Sequence, residues 1–173
     1  AVRYLLRKAA SFHLKSMYNH KTSWGKDAWD EIVTEVFSSE CAFCGINAAF
    51  YSKAFELEHI FGLNRTELGL HHPGNTVPVC KECNNRKKVK NIQIHWEEHL
   101  ENVCKEKGEE DKIEYRRKRI NDHMNEGKWR LPVWSDSERE EIRRYAEDLY
   151  EDISDLCNKA VTRYSRLKKS DLQ

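Results

Sequence analysis

The chain has 173 residues, room for one ordinary domain or a small domain with helical additions. Lys and Arg number 30 against 29 Asp and Glu, so the formal net charge is +1 and 34% of residues are charged. Three prolines and seven glycines are too few for a low-complexity linker or a turn-rich β-sandwich, and the longest charge-free run, residues 41–52, is too short to span a bilayer.

A soluble, mostly helical protein is expected, with no membrane partner. Arg7 and Lys8 interrupt the N-terminal apolar run, which argues against a secretory signal and for a cytoplasmic, reducing compartment. Charge is unevenly placed. Residues 1–26 hold six Lys and Arg and no acid, and Arg86, Lys87, Lys88 and Lys90 form a second basic cluster. Separated basic patches suit a polyanion, although a solvated helix face is the plainer reading.

In chain order, residues 2–18 carry Val2, Leu5, Leu6, Ala9, Phe12 and Met17 at helical spacing, with Arg3, Arg7, Lys8 and Lys15 opposite. Residues 27–39 predict a second helix, with Trp29, Ile32, Val33, Val36 and Phe37 on one face. Strand character runs from 48 to 60, a loop from 64 to 74 and a short strand from 75 to 79, followed by a basic helix. Further helices are expected to end at Gly108 and Gly127. A long one covers about 137–168, opened by a capping box of Ser137 and Glu140. Its apolar residues, Ile142 to Ala160, alternate steps of four and three. That stripe suits packing within the chain or against a second copy, hence a possible homodimer.

Six cysteines occur. Cys41-Ala-Phe-Cys44 and Cys80-Lys-Glu-Cys83 are two knuckles separated by 35 residues. Two residues between cysteines let both thiolates face one ion, and two such turns close a tetrahedral sulfur site, the structural form of zinc coordination. Two disulfides or a redox dithiol compete with this reading, the first disfavoured by a reducing cytosol. Cys104 and Cys157 fall in helical patterns and read as buried packing residues. The five tryptophans read as core or interface anchors.

Between and after the knuckles lie Glu58-His59-Ile60, Asn75 and Asn84-Asn85-Arg86-Lys87. With Cys80 and Cys83 they appear in an order that resembles the HNH endonucleases, over residues 41–90. The resemblance implies an α+β fold, mostly helical, in which a small zinc-bound ββα-metal core is flanked by N- and C-terminal helices. The segments are then 1–40 (basic, helical), 41–90 (nuclease core) and 91–173 (helical extension). It implies a divalent-metal-dependent hydrolase of phosphodiester bonds in double-stranded DNA, leaving 5′-phosphate and 3′-hydroxyl ends. His59 would be the general base, Glu58 and Asn84 the ligands of a catalytic Mg²⁺ or Mn²⁺, and Asn75 the residue that fastens the loop and orients His59. Cys41, Cys44, Cys80 and Cys83 would hold structural zinc, and Arg86, Lys87, Lys88 and Lys90 would contact phosphates. Two departures stand out: His72-Pro73-Gly74-Asn75 replaces the glycine pair of many members, and Glu58 replaces the commoner aspartate.

The chemistry of the residues agrees with these roles. Phosphodiester hydrolysis needs a base for water and positive charge on the phosphoryl and leaving oxygens. Imidazole is largely neutral at physiological pH, and carboxylate and amide oxygens suit hard cations. Consecutive strand residues point to opposite faces, so a bulge is expected at Glu58-His59 to bring both to one place. Glu56 reads as a solvated partner for a lysine, His71 and His72 as plain loop residues, and Asn85 as a stand-in for Asn84 if the helix starts later. His95, His99 and His123 fall outside the motif. The compact chain, with no evident helicase or guide-binding portion, points to a restriction-type or mobile-element enzyme. The alternative is a zinc-organised nucleic-acid-binding module without catalysis.

Overall fold

The computed structural model describes residues 1–14, 16–89 and 92–170. It is an α+β molecule, 59% helical, with helices at both ends and a small two-stranded antiparallel sheet. Among the described residues, no helix is long and apolar enough to cross a membrane.

Helix α1 (Val2–Ser11) is shorter than its pattern. The Ser11 hydroxyl donates to Lys8 O, competing with the backbone ladder at the point where the helix ends. Leu6, Ala9 and Ala10 are its buried side. Helix α2 (Ser23–Glu31) passes into a π-helical turn, Ile32–Val36, which turns Ile32 and Phe37 into the core. The expected strand at 48–60 is mostly irregular: Ala48–Phe50 is a 3₁₀ turn capped by Asn47, and only Glu56–His59 forms strand β1. β1 pairs with β2 (Thr76–Val79) through Glu56↔Val79, Leu57↔Pro78, Glu58↔Val77 and His59↔Thr76. Helix α3 (Lys81–Arg86) follows at once, so sheet and helix form a ββα unit. Next, β3 (Lys88–Val89) pairs antiparallel with β4 (Ile92–Gln93), two residues each.

Helices α4 (Trp96–Lys107), α5 (Ile113–Asn125) and α6 (Asp136–Ser170) complete the chain. α4 stops at Gly108, whose φ of 65° suits a residue without Cβ. The cap of α6 lies two residues earlier than expected. The Ser135 hydroxyl accepts from Glu138 N while the Glu138 carboxylate accepts from Ser135 N. One apolar cluster joins Ile32 and Phe37, both knuckles, Ile60, Val77 and Val79 of the sheet, and Trp96, Leu100, Val103, Ile120 and Met124 of α4 and α5. The ββα unit is therefore packed into the helices rather than standing alone, which suits a segment too small to bury much apolar surface. A second cluster sets Leu6 of α1 against Leu68 and Ala146 of α6. Gly74 allows the loop before β2 to touch the 129–131 connection, since a Cβ there would lie 2.0 Å from Trp129 O.

Candidate metal centre and its surroundings

The four knuckle cysteines are buried, and their sulfurs all lie within 4.8 Å of one another. Cys44 Sγ and Cys80 Sγ are 3.7 Å apart, close to the edge of a tetrahedron with Zn–S bonds of about 2.3 Å. Backbone amides point at the sulfurs: Cys80 N donates to Cys41 Sγ (3.3 Å) and Cys83 N to Cys80 Sγ (3.5 Å). Ala42 N donates to Pro78 O, tying the first knuckle to β2, and Cys80 caps α3, so the second knuckle opens that helix. Hydrogen bonding among the sulfurs holds the Cys44 thiol far below its ordinary range and that of Cys80 down to about 6. The same neighbours, with burial, push Cys41 and Cys83 up. Four thiolates repel one another in a low-dielectric site, and a divalent ion is the group that would let all four lose their protons. The residues present thus fit a structural metal such as zinc. Cys104 is buried; Cys157 is exposed, contrary to the packing role expected of it, because its stretch of α6, residues 151–166, lies open to solvent.

The ladder is regular through His59, so the expected bulge is absent: His59↔Thr76 pairing continues into Ile60 N donating to Asn75 O. Glu58 and His59 consequently leave β1 on opposite faces. On one face, Glu56 and Glu58 look towards α3. Asn84 Nδ2 donates to Glu56 Oε2 (2.5 Å), so Glu56 partners an amide rather than a lysine. Asn84 Oδ1 is buried and has no hydrogen-bond partner among the described residues, an oxygen acceptor left beside the Glu56 carboxylate that its own Nδ2 meets.

Lys87 differs most from expectation. It is 0% exposed and its ammonium donates to Glu58 Oε1 (3.0 Å) and to the carbonyls of His59 and Ile60. It pins the end of β1 to α3 from inside and does not face solvent, where a phosphate would have to meet it. The reason is that a buried carboxylate, Glu58 at 7% exposed, needs a buried cation. Arg86 is exposed and paired with Glu106. Lys90 and the side chain of Lys88 lie outside the described residues.

On the other face His59 meets His71, expected as a plain loop residue, and through it Arg7, expected on the basic outer side of the first helix. His59 Nε2 lies 2.8 Å from His71 Nδ1, and His71 Nε2 lies 2.9 Å from Arg7 Nη2. A guanidinium only donates. His71 Nε2 therefore accepts, its Nδ1 carries the proton, and that proton goes to His59 Nε2. The proton of neutral His59 then sits on Nδ1. Burial first, then the imidazole of His71 and the cations Lys87, Arg7 and Arg3, hold His59 well below its ordinary pKa, so it is neutral near pH 7. His71 is itself depressed to about 4, mainly by burial. His72 is no plain loop residue either: it is buried, and its Nδ1 accepts from Gly74 N. The adjacent His71-His72 pair, placed between the knuckles, was the signal available for both; nothing in the sequence linked it to Arg7.

Asn75 is fully buried. Its Oδ1 accepts from Phe61 N (2.9 Å), and its Nδ2 donates to Phe61 O (2.9 Å) and Leu70 O (2.8 Å). It fastens the chain just after His59 to the loop carrying His71, acting on the backbone around the imidazole rather than on the ring. Asn75, Glu58 and Lys87 are thus brought to the end of β1. Asn84 joins Glu56, and His59 faces away with His71 and Arg7. No family model, curated protein or solved structure matches the chain.

Proposed function

We propose that the protein is a metal-dependent endonuclease of the HNH kind acting on duplex DNA, with zinc in the cysteine site and Mg²⁺ or Mn²⁺ at the oxygens of Glu56, Glu58 and Asn84. The observation that carries the reading is Asn84 Oδ1, a buried acceptor without a partner among the described residues, beside the Glu56 carboxylate and on the face of β1 that also presents Glu58. Three hard oxygens of this kind suit Mg²⁺ or Mn²⁺ and not zinc. Such an ion would supply positive charge to the phosphoryl and leaving oxygens.

The chain's own part is proton handling and binding. A base and a metal that act on one phosphate must share a face, so this reading requires the end of β1 to twist when DNA and metal bind, bringing His59 round to the oxygen face; His59, kept neutral by its surroundings, then takes the proton of a water that attacks phosphorus. The P–O3′ bond breaks, and the 3′ oxygen takes up a proton. In the free protein the His59 lone pair is spent on the His71 proton. A substrate phosphate that draws Arg7 away frees His71 to take the other tautomer, and His59 Nδ1 then offers its lone pair. Arg7, whose guanidinium lies 2.9 Å from His71, would meet that phosphate, with Arg3 one turn away on the same side of α1.

A second reading is a zinc-organised module that binds nucleic acid without cutting it. It is favoured by the ion pair that neutralises Glu58 and by the placement of His59 on the opposite face. The two separate in one experiment. Zinc-loaded protein in otherwise metal-free buffer is incubated with duplex DNA, with and without Mg²⁺ or Mn²⁺, beside the His59→Ala variant. The nuclease reading expects cutting only with added metal and a loss of at least about a hundredfold in the variant, the usual worth of a general base. DNA bound but intact under every metal establishes the binding module.

A further inference from the structure

The apolar stripe of α6 beyond Ala146 packs against no apolar cluster among the described residues, and its chemistry says what covers it. The helix has 35 residues, about 50 Å at 1.5 Å per residue. Ile142 and Ala146 meet the body and Tyr150 stacks under Arg65, but every residue from Tyr150 to Arg166 is exposed and Leu149 is half-buried. The apolar stripe does not stop where the body stops: Leu149, Ile153, Leu156 and Ala160 continue its steps of four and three, with Ile153 41% and Leu156 64% exposed.

Charge along this stretch is segregated. Residues 147–155 hold Glu147, Asp148, Glu151, Asp152 and Asp155 and no base. Residues 156–169 hold Lys159, Arg163, Arg166, Lys168 and Lys169 and no acid. Among the described residues, none of the charged groups from Glu147 to Arg166 forms an ion pair. A helix of this kind repels a parallel copy of itself, acid against acid and base against base, and attracts an antiparallel one.

We infer that α6 is the docking surface for a second copy of this chain, forming a short antiparallel two-helix coiled coil. One register satisfies the stripe throughout: Ile153 packs on Leu156 of the partner subunit, and Leu149 on Ala160 of the partner subunit. The same register sets Asp152 beside Lys159 of the partner subunit on the flank of each seam, so the apolar layers and the charges agree. The inference does not depend on the chemistry proposed above. The overlap, residues 149–160, spans about 18 Å, so the interface sits at the small end of specific interfaces and the dimer belongs to the micromolar range.

The test uses the full zinc-loaded chain in equilibrium sedimentation at about 100 µM, well above a micromolar dissociation constant. A dimer is expected at low salt, at least tenfold weaker in 0.5 M salt, and absent in Leu156→Asp, an exposed position that leaves the fold intact by circular dichroism. Asp152→Lys alone should weaken the dimer, and Asp152→Lys with Lys159→Asp should restore it. A spin label at Ser165→Cys, with Cys157→Ser, should give a label-to-label distance above about 30 Å, against about 20 Å in a parallel pair, where the labels share one level on the outer faces of two helices each about 10 Å across. A monomer at 100 µM, a dimer indifferent to Leu156→Asp, or the short distance each overturns the inference.

Discussion

Lys87 shows how a residue's type and its role part company. In the sequence it belongs to a basic run with Arg86, Lys88 and Lys90, and nothing in that run marks one member as internal. The structure buries it because α3 turns it towards Glu58, and the two neighbours must then behave differently when removed. Lys87→Ala leaves the Glu58 carboxylate buried and unpaired and should cost about 3–5 kcal/mol. Arg86→Ala loses only an exposed pair with Glu106 and should cost under about 1 kcal/mol. Urea unfolding of both variants checks this, and equal losses would contradict the burial. The histidines make a second residue-scale case. Burial depresses His71, His72 and His99 to about 4 from an ordinary value of 6.5. The unfolded chain binds their protons first, so the stability they lend is complete above about pH 6.5 and is lost as pH falls towards 4. The melting temperature should fall across that window, less steeply in His99→Leu; a flat profile would contradict it.

Element by element, legibility followed periodicity. The cysteine knuckles, β2, α4, α5 and α6 announce themselves through fixed spacing, a glycine stop or an apolar stripe. What was not legible depends on partners distant in sequence. The π-helical turn at Ile32–Val36 keeps a helical pattern, and only packing against β2 reveals it. The short β1 is trimmed by the Asn47-capped turn before it and by Asn75 after it. The regular end of β1 follows from Lys87 and Asn75, neither of which strand alternation can see. Glu56 was underrated for the same reason, since its partner is 28 residues away. The knuckles also make an element-scale prediction. Cys41 and Cys44 reach β2 through Ala42, and Cys80 and Cys83 open α3, so the sulfur site sets the strand pair against the helix. Purified protein should carry one zinc per chain by elemental analysis. Stripping it should loosen the ββα unit, with near-ultraviolet circular dichroism changing while much of the helical far-ultraviolet signal stays. A metal-free protein with unchanged tertiary signal would remove the clamp from the account.

At the scale of the whole molecule, the two halves of the candidate site come from opposite directions. The oxygen face is internal to the ββα unit, built from Glu56, Glu58 and Asn84, whereas the imidazole face is completed from outside by Arg7 of α1. α1 is held by α6 through Leu6, Leu68 and Ala146, so the helix that extends away from the body also steadies the arginine beside His59. The resemblance carried by Glu58, His59, Asn75 and Asn84 covers under a third of the chain; the remaining helices supply the apolar walls and the cation that completes the imidazole chain. The claim on which the functional reading turns is that the oxygen face takes a hard cation while the sulfur site keeps zinc. The direct measurement is electron paramagnetic resonance of zinc-loaded protein titrated with Mn²⁺, wild type beside Asn84→Ala and Glu56→Gln. The account predicts one bound Mn²⁺ per chain, weakened at least tenfold in both variants with zinc content unchanged. Mn²⁺ that stays free in the presence of the wild-type protein, or binds both variants as tightly, would contradict it.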